Sequence, residues 1–296
     1  MTVVTTRRLS LNQATIRYAD LATALRVTRE AAIGGIGLWR EPVAAAGLAA
    51  ATTMLADSGL RVSSLCRGGF FTAADPGARR AALTENRRAI EETAALAAAG
   101  AAGSAPVLVL VAGGLPVGDR DLPSARARAR DAVEALVDDA AAAGVILAIE
   151  PMHPIYAADR GVISTLGQAL DVAEQFPAAT VGVVVDTFHV WWDPQLDEQI
   201  RRAGRGGRIA SYQVCDWITP LPPDALLARG MMGDGHIDFP AVTRAVSDAG
   251  YTGDIEVEIF NQAIWDADPA EIAERTVKSF ASHVASPPAP ARETLG

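Results

Sequence analysis

The sequence is poor in the residues that form cross-links and covalent amine catalysts. Its 296 residues include two cysteines, Cys66 and Cys215, which lie far apart in the chain. Two cysteines do not make a disulfide framework in a chain of this size, so we expect two free thiols in a reducing compartment. The chain has one lysine, Lys278, in a polar helical pattern near the C-terminus. Schiff-base catalysis by lysine therefore has almost no candidate.

Basic charge is also scarce. Lysine and arginine together number 26 against 35 acidic residues, which gives a formal net charge of −9. An acidic surface repels phosphate backbones and anionic membranes. We therefore expect neither nucleic acid nor a membrane as a partner.

The apolar runs of the sequence do not resemble targeting or membrane segments. Near the N-terminus, Arg17 and Asp20 interrupt the apolar residues that a secretory signal would need. Residues 94–115 carry no charge, but they are mostly alanine and glycine and include Pro106. Such a stretch is better explained as a helix end, a loop and a strand than as a membrane span. We expect a cytoplasmic protein.

Short apolar runs alternate with longer alanine-rich segments of helical spacing. Strands that alternate with helices of this length predict a parallel sheet covered by helices. Eight such units favour closure into a (β/α)8 TIM barrel of the α/β class. An open doubly wound sheet is less favoured, because no glycine-rich phosphate loop follows the first strand. The predicted strands are residues 9–13, 35–39, 61–65, 107–111, 145–150, 181–186, 209–214 and 255–259. The predicted helices are residues 18–32, 43–57, 78–99, 124–143, 165–175, 193–203, 239–249 and 269–285.

The chain shows no internal domain boundary. Half of its residues are hydrophobic, which is enough for one large core. We predict a single catalytic TIM-barrel domain over residues 1–285. The proline-rich residues 286–296 are predicted to be a disordered tail.

Four polar residues lie at or near the C-terminal ends of predicted strands, where a TIM barrel carries its active site. They are Glu150, Asp186, Gln213 and Glu258. Carboxylates are almost never buried in such apolar strands without a partner. Three of them converging on one barrel mouth would repel one another unless they shared a cation. We therefore predict that these four residues bind one divalent metal ion.

The donor set indicates which metal this would be. Three carboxylates and one amide are hard oxygen donors, which favours Mn2+ or Mg2+, with Co2+ or Zn2+ as substitutes. Some alternatives stay open at this stage: an acid could cap a helix or pair with arginine, and Gln213 could bridge backbone groups. Glu256 also competes with Glu258, because residues two apart on a strand share a face. We favour Glu258, which lies nearer the C-terminal end of the strand.

Two histidines follow the first two acids at the same offset. His153 lies three residues after Glu150, and His189 lies three residues after Asp186. Both are expected on loops just past strand ends, above the metal. Imidazole titrates near neutral pH, so either histidine is a candidate to relay a proton or bind a substrate hydroxyl. A packing or surface role is the alternative for each.

Arginines and tryptophans near strand ends are candidates for substrate binding. Arg229 precedes a glycine-containing turn after the seventh strand, and Arg67 follows the third strand. Both are predicted to anchor the substrate, with a surface role as the alternative. Trp39 and Trp191 are predicted to line the site, because aromatic walls suit sugar rings, although tryptophans also pack in cores.

Five sequence pieces together resemble the xylose-isomerase-like sugar phosphate isomerase/epimerase superfamily. That superfamily includes ketose 3-epimerases, inosose isomerases, inosose dehydratases and, more distantly, endonuclease IV. The pieces span about half of the chain in the family's order and spacing. The combination of Asp-Thr-Phe-His with the later glycine-containing turn is fairly specific. The five pieces are Ile-Glu-Pro at 149–151, Asp-Thr-Phe-His at 186–189, Gln-Val-Cys-Asp at 213–216, the Arg-x-x-x-Gly-x-Gly-x-Ile-Asp turn at 229–238, and Val-Glu-Ile-Phe at 257–260.

The resemblance implies roles for several of these residues. It implies that Glu150, Asp186 and Glu258 bind the metal, and that both glutamates also remove and return a proton, as in the 3-epimerases. It implies that His189 and Arg229 contact the substrate. It also implies a homo-oligomer, since relatives often form dimers or tetramers.

The sequence departs from the family's pattern at two places. Many relatives have histidine where this chain has Gln213, which puts the identity of the metal in doubt. The epimerases carry Asn-Arg-Phe-Glu after the first metal glutamate, where this chain has Met-His-Pro-Ile at 152–155. The polar residues that support ketose epimerisation are therefore missing, and His153 takes a place near the substrate. The Glu-Pro-x-His pattern resembles the large subunits of C-glycoside deglycosidases, which work with a small β-rich partner subunit.

Two functional hypotheses follow. The first is a sugar or cyclitol isomerase or epimerase that removes a proton next to a carbonyl through a metal-stabilised enediolate. The second is a lyase, a dehydratase or C-glycoside deglycosidase, that loses a β-substituent from the same intermediate. The sequence leaves both open and favours an unphosphorylated sugar, cyclitol or keto-glycoside. Four histidines and an acidic balance disfavour an endonuclease, and the acids at strand ends disfavour a non-catalytic scaffold.

Overall fold

A closed parallel barrel forms the centre of the protein, as a computed structural model that describes residues 5–285 of the chain shows. The barrel strands follow one another around the ring in the order β1, β2, β3, β4, β5, β6, β7 and β10, and β10 pairs with β1. Strands β8 and β9 form a separate antiparallel pair. The prediction of a (β/α)8 barrel is therefore confirmed. The strands of the described residues are β1 (Leu9–Asn12), β2 (Gly35–Trp39), β3 (Arg61–Gly69), β4 (Val107–Val111), β5 (Ile146–Glu150), β6 (Val181–Asp186), β7 (Ile209–Val214), β8 (Asp216–Trp217), β9 (Arg229–Gly230) and β10 (Ile255–Val257).

Helices surround the barrel and bury its outer face. Strands β4 and β6 are buried along their whole length, since one face meets the barrel interior and the other meets helices. Several helices begin directly after an aspartate or threonine whose side chain accepts a backbone N–H of the first turn, as at Asp20, Thr165 and Asp238. The helices are α1 (Leu21–Glu30), α2 (Arg40–Ala46), α3 (Leu48–Ser58), α4 (Pro76–Ala99), α5 (Leu122–Glu134), α6 (Val137–Ala143), α7 (Leu166–Ala173), α8 (Thr187–Val190), α9 (Leu196–Arg205), α10 (Phe239–Asp248), α11 (Gln262–Trp265) and α12 (Pro269–His283).

The observed elements differ from the predicted ones mainly where a helix is interrupted. The helix predicted over 43–57 is the pair α2 and α3, because Gly47 between them has φ +82°, outside the helical region. The helix predicted over 124–143 is likewise the pair α5 and α6. Strand β10 ends at Val257, two residues earlier than predicted, so Glu258 lies just beyond it.

The tail predicted over residues 286–296 lies outside the described residues. Within residues 5–285, no helix has both the length and the apolar character that crossing a bilayer requires.

The small β8–β9 pair carries Arg229 to the barrel mouth, and Asp216 organises the turn that follows it. Asp216 is buried, and its Oδ2 accepts the backbone N–H of Gly233 at 3.0 Å and of Gly235 at 2.8 Å. Its Oδ1 accepts the N–H of Ile237 at 3.0 Å. A single carboxylate therefore satisfies three backbone donors of one turn, and it holds that turn against the strand next to Arg229.

We expect Asp216→Ala to lower the free energy of unfolding by about 3 kcal/mol, because three backbone donors lose their acceptor. Urea denaturation measures this loss. The matched control is Asp224→Ala. Asp224 is an exposed aspartate in the segment between β8 and β9, and its Oδ1 accepts the N–H of Leu226. The control should cost less than about 1 kcal/mol, and equal losses for the two variants would contradict the role of Asp216.

Candidate metal centre and active site

Three carboxylates that the sequence places at separate strand ends meet at the mouth of the barrel. Oxygen atoms of Glu150 and Asp186 and a ring nitrogen of His189 all lie within 4.8 Å of one another. Arg229 links Asp186 to Glu258, because its Nη1 lies 3.3 Å from Asp186 Oδ2 and 2.8 Å from Glu258 Oε2. All five side chains are buried. The ends of β5 and β6 and the residue just past β10 therefore bring their acids to one point.

The cluster holds more negative than positive charge. Glu150, Asp186, Glu258 and the deeper Glu256 are buried in the same region. Arg229 is the cation that forms ion pairs with two of them, Asp186 and Glu258. Burial, together with the neighbouring carboxylates, raises the pKa of Glu150 well above its usual range. Burial also raises the pKa of Asp186, and raises the pKa of Glu258 to about 7. Ionisation of these carboxyl groups is unfavourable because they are buried with too few positive charges nearby. A divalent cation among them would make the ionised form favourable.

Gln213 supplies an oxygen without a hydrogen-bond partner. It is fully buried on β7, in register between Asp186 on β6 and Glu256 on β10. Its Nε2 donates to Glu256 Oε1 at 3.0 Å, whereas its Oε1 accepts no hydrogen bond within the described part of the chain. Buried amide oxygens normally have a partner, so this atom is suited to a cation. Three carboxylates and this oxygen together fit a hard divalent metal ion.

His189 is held as a neutral donor. Its Nδ1 accepts the backbone N–H of His153 at 3.1 Å, which leaves the ring proton on Nε2. Burial lowers the pKa of His189 well below its usual range, so the ring is uncharged at neutral pH. The Nε2 faces Nη2 of Arg229 at 3.0 Å, although a guanidinium has donors only. In this tautomer two donors face each other, so the Nε2–H of His189 forms no hydrogen bond with Arg229.

Arg229 lies between two aromatic rings. Its guanidinium carbon is 4.6 Å from the centroid of Phe188 and 4.8 Å from that of Phe260. Its backbone carbonyl accepts from Nδ2 of Asn261 at 2.9 Å, and its own Nε has no partner among the described residues. The rings hold the plane of the guanidinium, and its hydrogen bonds are incomplete.

A cavity of about 940 Å³ opens above these residues. Its lining includes Glu150, Glu258, His189 and Arg229, whereas Asp186 and Gln213 are buried and do not line it. The first third of the chain supplies much of its wall. The wall residues include Tyr18, Trp39, Met54, Arg67 and Phe70.

The predicted substrate-binding residues fall into two groups. Arg67 and Trp39 line the cavity, where the Arg67 guanidinium lies over the rings of Trp39 and Phe70 at 5.6 and 4.5 Å. Trp191 does not line it, and its ring lies 5.8 Å from that of Trp217. Trp191 is therefore not brought together with the acids.

His153 is also turned away from the cavity. Its Nδ1 accepts the N–H of Ile155 at 3.2 Å and so caps the short 3-10 turn that begins at Pro154. This cap turns the imidazole towards Trp192 and Trp217, at 5.6 and 4.8 Å between ring centroids. The backbone of His153 contacts His189, but its side chain does not reach the acids.

The sequence analysis missed a polar layer below the three clustered acids. Asn12, Ser63 and Ser64 are buried and donate to the carboxylate of Glu256. A sequence signal for them existed, because all three are polar residues within predicted barrel strands. The family resemblance offered no role for them.

The comparison with protein families agrees with this geometry. The family model described as xylose isomerase-like TIM barrel matches residues 25–283. The chain belongs to this family. This confirms the family that the sequence motifs indicated.

Individual relatives show how far the similarity extends. Protein SMc04130 of Sinorhizobium meliloti 1021 has a TM-score of 0.89 and 43% sequence identity, covering 95% of this chain and 99% of that chain. The structure of the IolI protein with a bound zinc atom has a TM-score of 0.76 at 21% identity, covering 94% of this chain and 98% of that chain, which is a likeness of fold. An L-ribulose 3-epimerase of Mesorhizobium japonicum is 26% identical over 139 residues. That match covers 47% of this chain and 42% of the epimerase.

The raised pKa of Glu258 predicts how pH changes the stability of the metal-free protein. In the unfolded chain this carboxyl ionises near pH 4.5, and in the folded protein its pKa is about 7. Glu258 therefore destabilises the folded state increasingly as pH rises from about 4.5 to about 7, and its contribution is constant outside that window. Glu150 acts in the same direction.

Thermal melts in EDTA at pH 5, 6 and 7 test this prediction. The melting temperature of Glu258→Gln, which has no charge to lose, should rise relative to that of the natural protein as pH increases. Added Mn2+ should stabilise the natural protein more at pH 7 than at pH 5, because the cation favours the ionised form. A constant difference between the two proteins across this range would contradict the burial argument.

Proposed function

We propose that the protein is a divalent-metal-dependent isomerase or epimerase that removes a proton next to the carbonyl of an unphosphorylated sugar or cyclitol. The observation that carries the proposal is the convergence of Glu150, Asp186 and Glu258, with Gln213, whose amide oxygen is unpartnered, in strand register next to Asp186. Family membership, the partial match to an L-ribulose 3-epimerase and the zinc atom of the related IolI structure support it. The hard donor set favours Mn2+ as the natural ion.

The two glutamates are the proposed proton carriers. Both Glu150 and Glu258 line the cavity floor, and burial raises the pKa of each. A carboxylate that faces the substrate can accept a proton from it and return one. In an epimerisation one glutamate, ionised, takes the proton from the carbon next to the carbonyl, and the other, protonated, gives its own proton to the opposite face; proton exchange with solvent then restores the pair. The metal, when bound, would polarise the carbonyl and the adjacent hydroxyl.

His189 and Arg229 are the proposed substrate donors. In the tautomer in which Nδ1 accepts from the backbone, the Nε2–H of His189 faces the Arg229 Nη2, which is no acceptor, and is thus left for a substrate oxygen. Arg229 contributes further donors at the same edge of the cavity. Both groups stabilise negative charge that develops on substrate oxygen when the proton leaves. His153 acts indirectly in this proposal, through the backbone N–H that orients His189.

Exchange of substrate protons with D2O tests the proposal. The protein is stripped of metal, reloaded with Mn2+ and incubated in D2O with free ketoses and inososes, and NMR follows deuterium at the carbon next to the carbonyl. Exchange should require the metal and should fall at least about 100-fold in Glu150→Gln and Glu258→Gln, because a general base contributes at least that factor.

The control is Glu91→Gln, the same chemical change at an exposed position of α4. It should exchange at the natural rate. Exchange that continues without metal, or in both active-site variants, would remove the basis of the proposal.

A lyase is the second candidate, and the size and lining of the cavity favour it. A volume of about 940 Å³ lies near the upper end of the range of about 300–1,000 Å³ that is typical of small-molecule sites. Tyr18, Met54 and Phe70 line its outer part and are unusually exposed for large apolar residues. These features suit a keto-glycoside whose aglycone extends beyond the sugar. The same proton removal would then be followed by loss of the β-substituent, and a small partner subunit remains a prediction of this alternative.

The two candidates differ in product and in their dependence on Met54. An aryl 3-oxo-glycoside should release its aglycone if the enzyme is a lyase, whereas an isomerase retains every substituent. For the lyase, Met54→Ala should raise KM for the aryl substrate about tenfold, because apolar contact with the aglycone is lost. The KM for a free ketose should not change. An unchanged KM for both substrates would argue against an aglycone site.

A further inference from the structure

We propose that Glu256 is a positioning residue that fixes the orientation of the Gln213 side-chain amide so that its oxygen, and not its nitrogen, is presented to the metal. The inference rests on the proposed metal centre and assigns a function to an acid that the centre itself does not use. Glu256 lies one layer below Glu258 on β10 and is fully buried.

Four donors converge on the Glu256 carboxylate. Its Oε1 accepts from Nδ2 of Asn12 at 2.6 Å and from Nε2 of Gln213 at 3.0 Å. Its Oε2 accepts from the hydroxyls of Ser63 and Ser64, at 2.5 and 2.8 Å. No arginine or lysine contacts it among the described residues. The carboxylate is thus held by neutral donors from three other strands or their ends, and one of those donors belongs to the proposed ligand.

The barrel makes room for this carboxylate at Gly37. A Cβ on Gly37 of β2 would lie 2.5 Å from the carboxyl carbon of Glu256, closer than such atoms approach. The carboxylate fits closely into the space that glycine leaves, and three donors besides Gln213 bind it. Glu256 therefore has little freedom to move. A side chain that is itself immobile is suited to fixing another group.

The amide of Gln213 needs such a partner, because its two ends have nearly the same shape. Turned by 180°, the amide would direct its NH2 group at the metal and its oxygen at Glu256. Two acceptors would then face each other in a dry interior, which costs free energy. Glu256 is an acceptor in contact with Nε2, so it favours the orientation in which Oε1 remains for the cation. Histidine, which many relatives have at this position, has no such ambiguity of oxygen and nitrogen.

The test measures Mn2+ affinity by competition with a chromogenic chelator, together with the visible spectrum of the Co2+-loaded protein. Glu256→Gln keeps the reach of the side chain but adds an NH2 that accommodates either amide orientation. Glu256→Asp keeps the charge but shortens the reach. Both should weaken Mn2+ binding about 10- to 100-fold, as loss of a group that orients a ligand typically does, and both should alter the Co2+ spectrum. Ser64→Ala, which removes a different donor from Glu256, should bind within about threefold of the natural protein.

The same substitutions in a Gln213→Ala background separate orientation from charge. If Glu256 acts through Gln213, Glu256→Gln should change the affinity less than about threefold there, because the amide is gone. An equal loss in both backgrounds, or a loss in Glu256→Gln but not in Glu256→Asp, shows that Glu256 acts by its charge and overturns the inference. Natural affinity in Gln213→Ala overturns it as well, because Gln213 is then no ligand.

Two further results keep the inference separate from folding and from the proposed function. In the natural protein loaded with Zn2+, the Nε2 proton signals of Gln213, identified by their loss in Gln213→Ala, should keep the downfield shift of a hydrogen bond to carboxylate. Loss of that shift on Zn2+ loading overturns the inference without any substitution at Glu256. If the natural protein and Glu150→Gln bind Mn2+ equally poorly, the metal centre fails and this inference fails with it. Tight binding that depends on Glu150 but not on Glu256 overturns the inference alone.

Discussion

The concentration of carboxylates in the barrel mouth is the constraint on which the rest of the structure depends. Glu150, Asp186 and Glu258 are buried close to one another, and Arg229 offsets part of their charge. A TIM barrel can support such a cluster because its strands end at one rim and its core supplies the stability elsewhere. The β8–β9 pair and the turn around Asp216 serve the same arrangement, since they carry the guanidinium to the acids. The buried carboxylates at the rim thus lower the stability of the fold, and the apolar interior of the barrel offsets this loss.

Below the rim, the barrel contains a second polar layer with a different character. Glu256 is surrounded by hydroxyl and amide donors, whereas the acids above it face a cation and the cavity. The upper layer can change its protonation or its ligands, and the lower layer is saturated with hydrogen bonds. Gln213 lies beside both layers, because its Nε2 donates to Glu256 and its position on β7 pairs with Asp186 on β6.

The sequence predicted the fold well because the signal for it is repeated eight times. Each barrel strand was visible as a short apolar run. The errors lie at element ends, at helix interruptions such as Gly47, and in the β8–β9 pair and the short helices α8 and α11, which were not predicted. The acids at strand ends were also predictable, since a carboxylate in an apolar run is conspicuous by itself. What the spacing could not predict was side-chain direction. His153 and His189 have the same offset from an acid, yet the 3-10 turn after His153 directs its ring away from the cavity. The orientation of the Gln213 amide and the donors around Glu256 depend on contacts between distant strands, which no local pattern encodes.

The cavity is assembled from two separate parts of the chain. The acids and their arginine come from residues 150 to 258, whereas Tyr18, Trp39, Met54, Arg67 and Phe70, which form much of the wall, lie within the first 70 residues. Substitutions at these early wall positions can therefore reshape what enters the site without changing the residues at its floor. The shape of the entrance and the arrangement of the acids are consequently encoded in different stretches of the chain, so that one can vary while the other is kept.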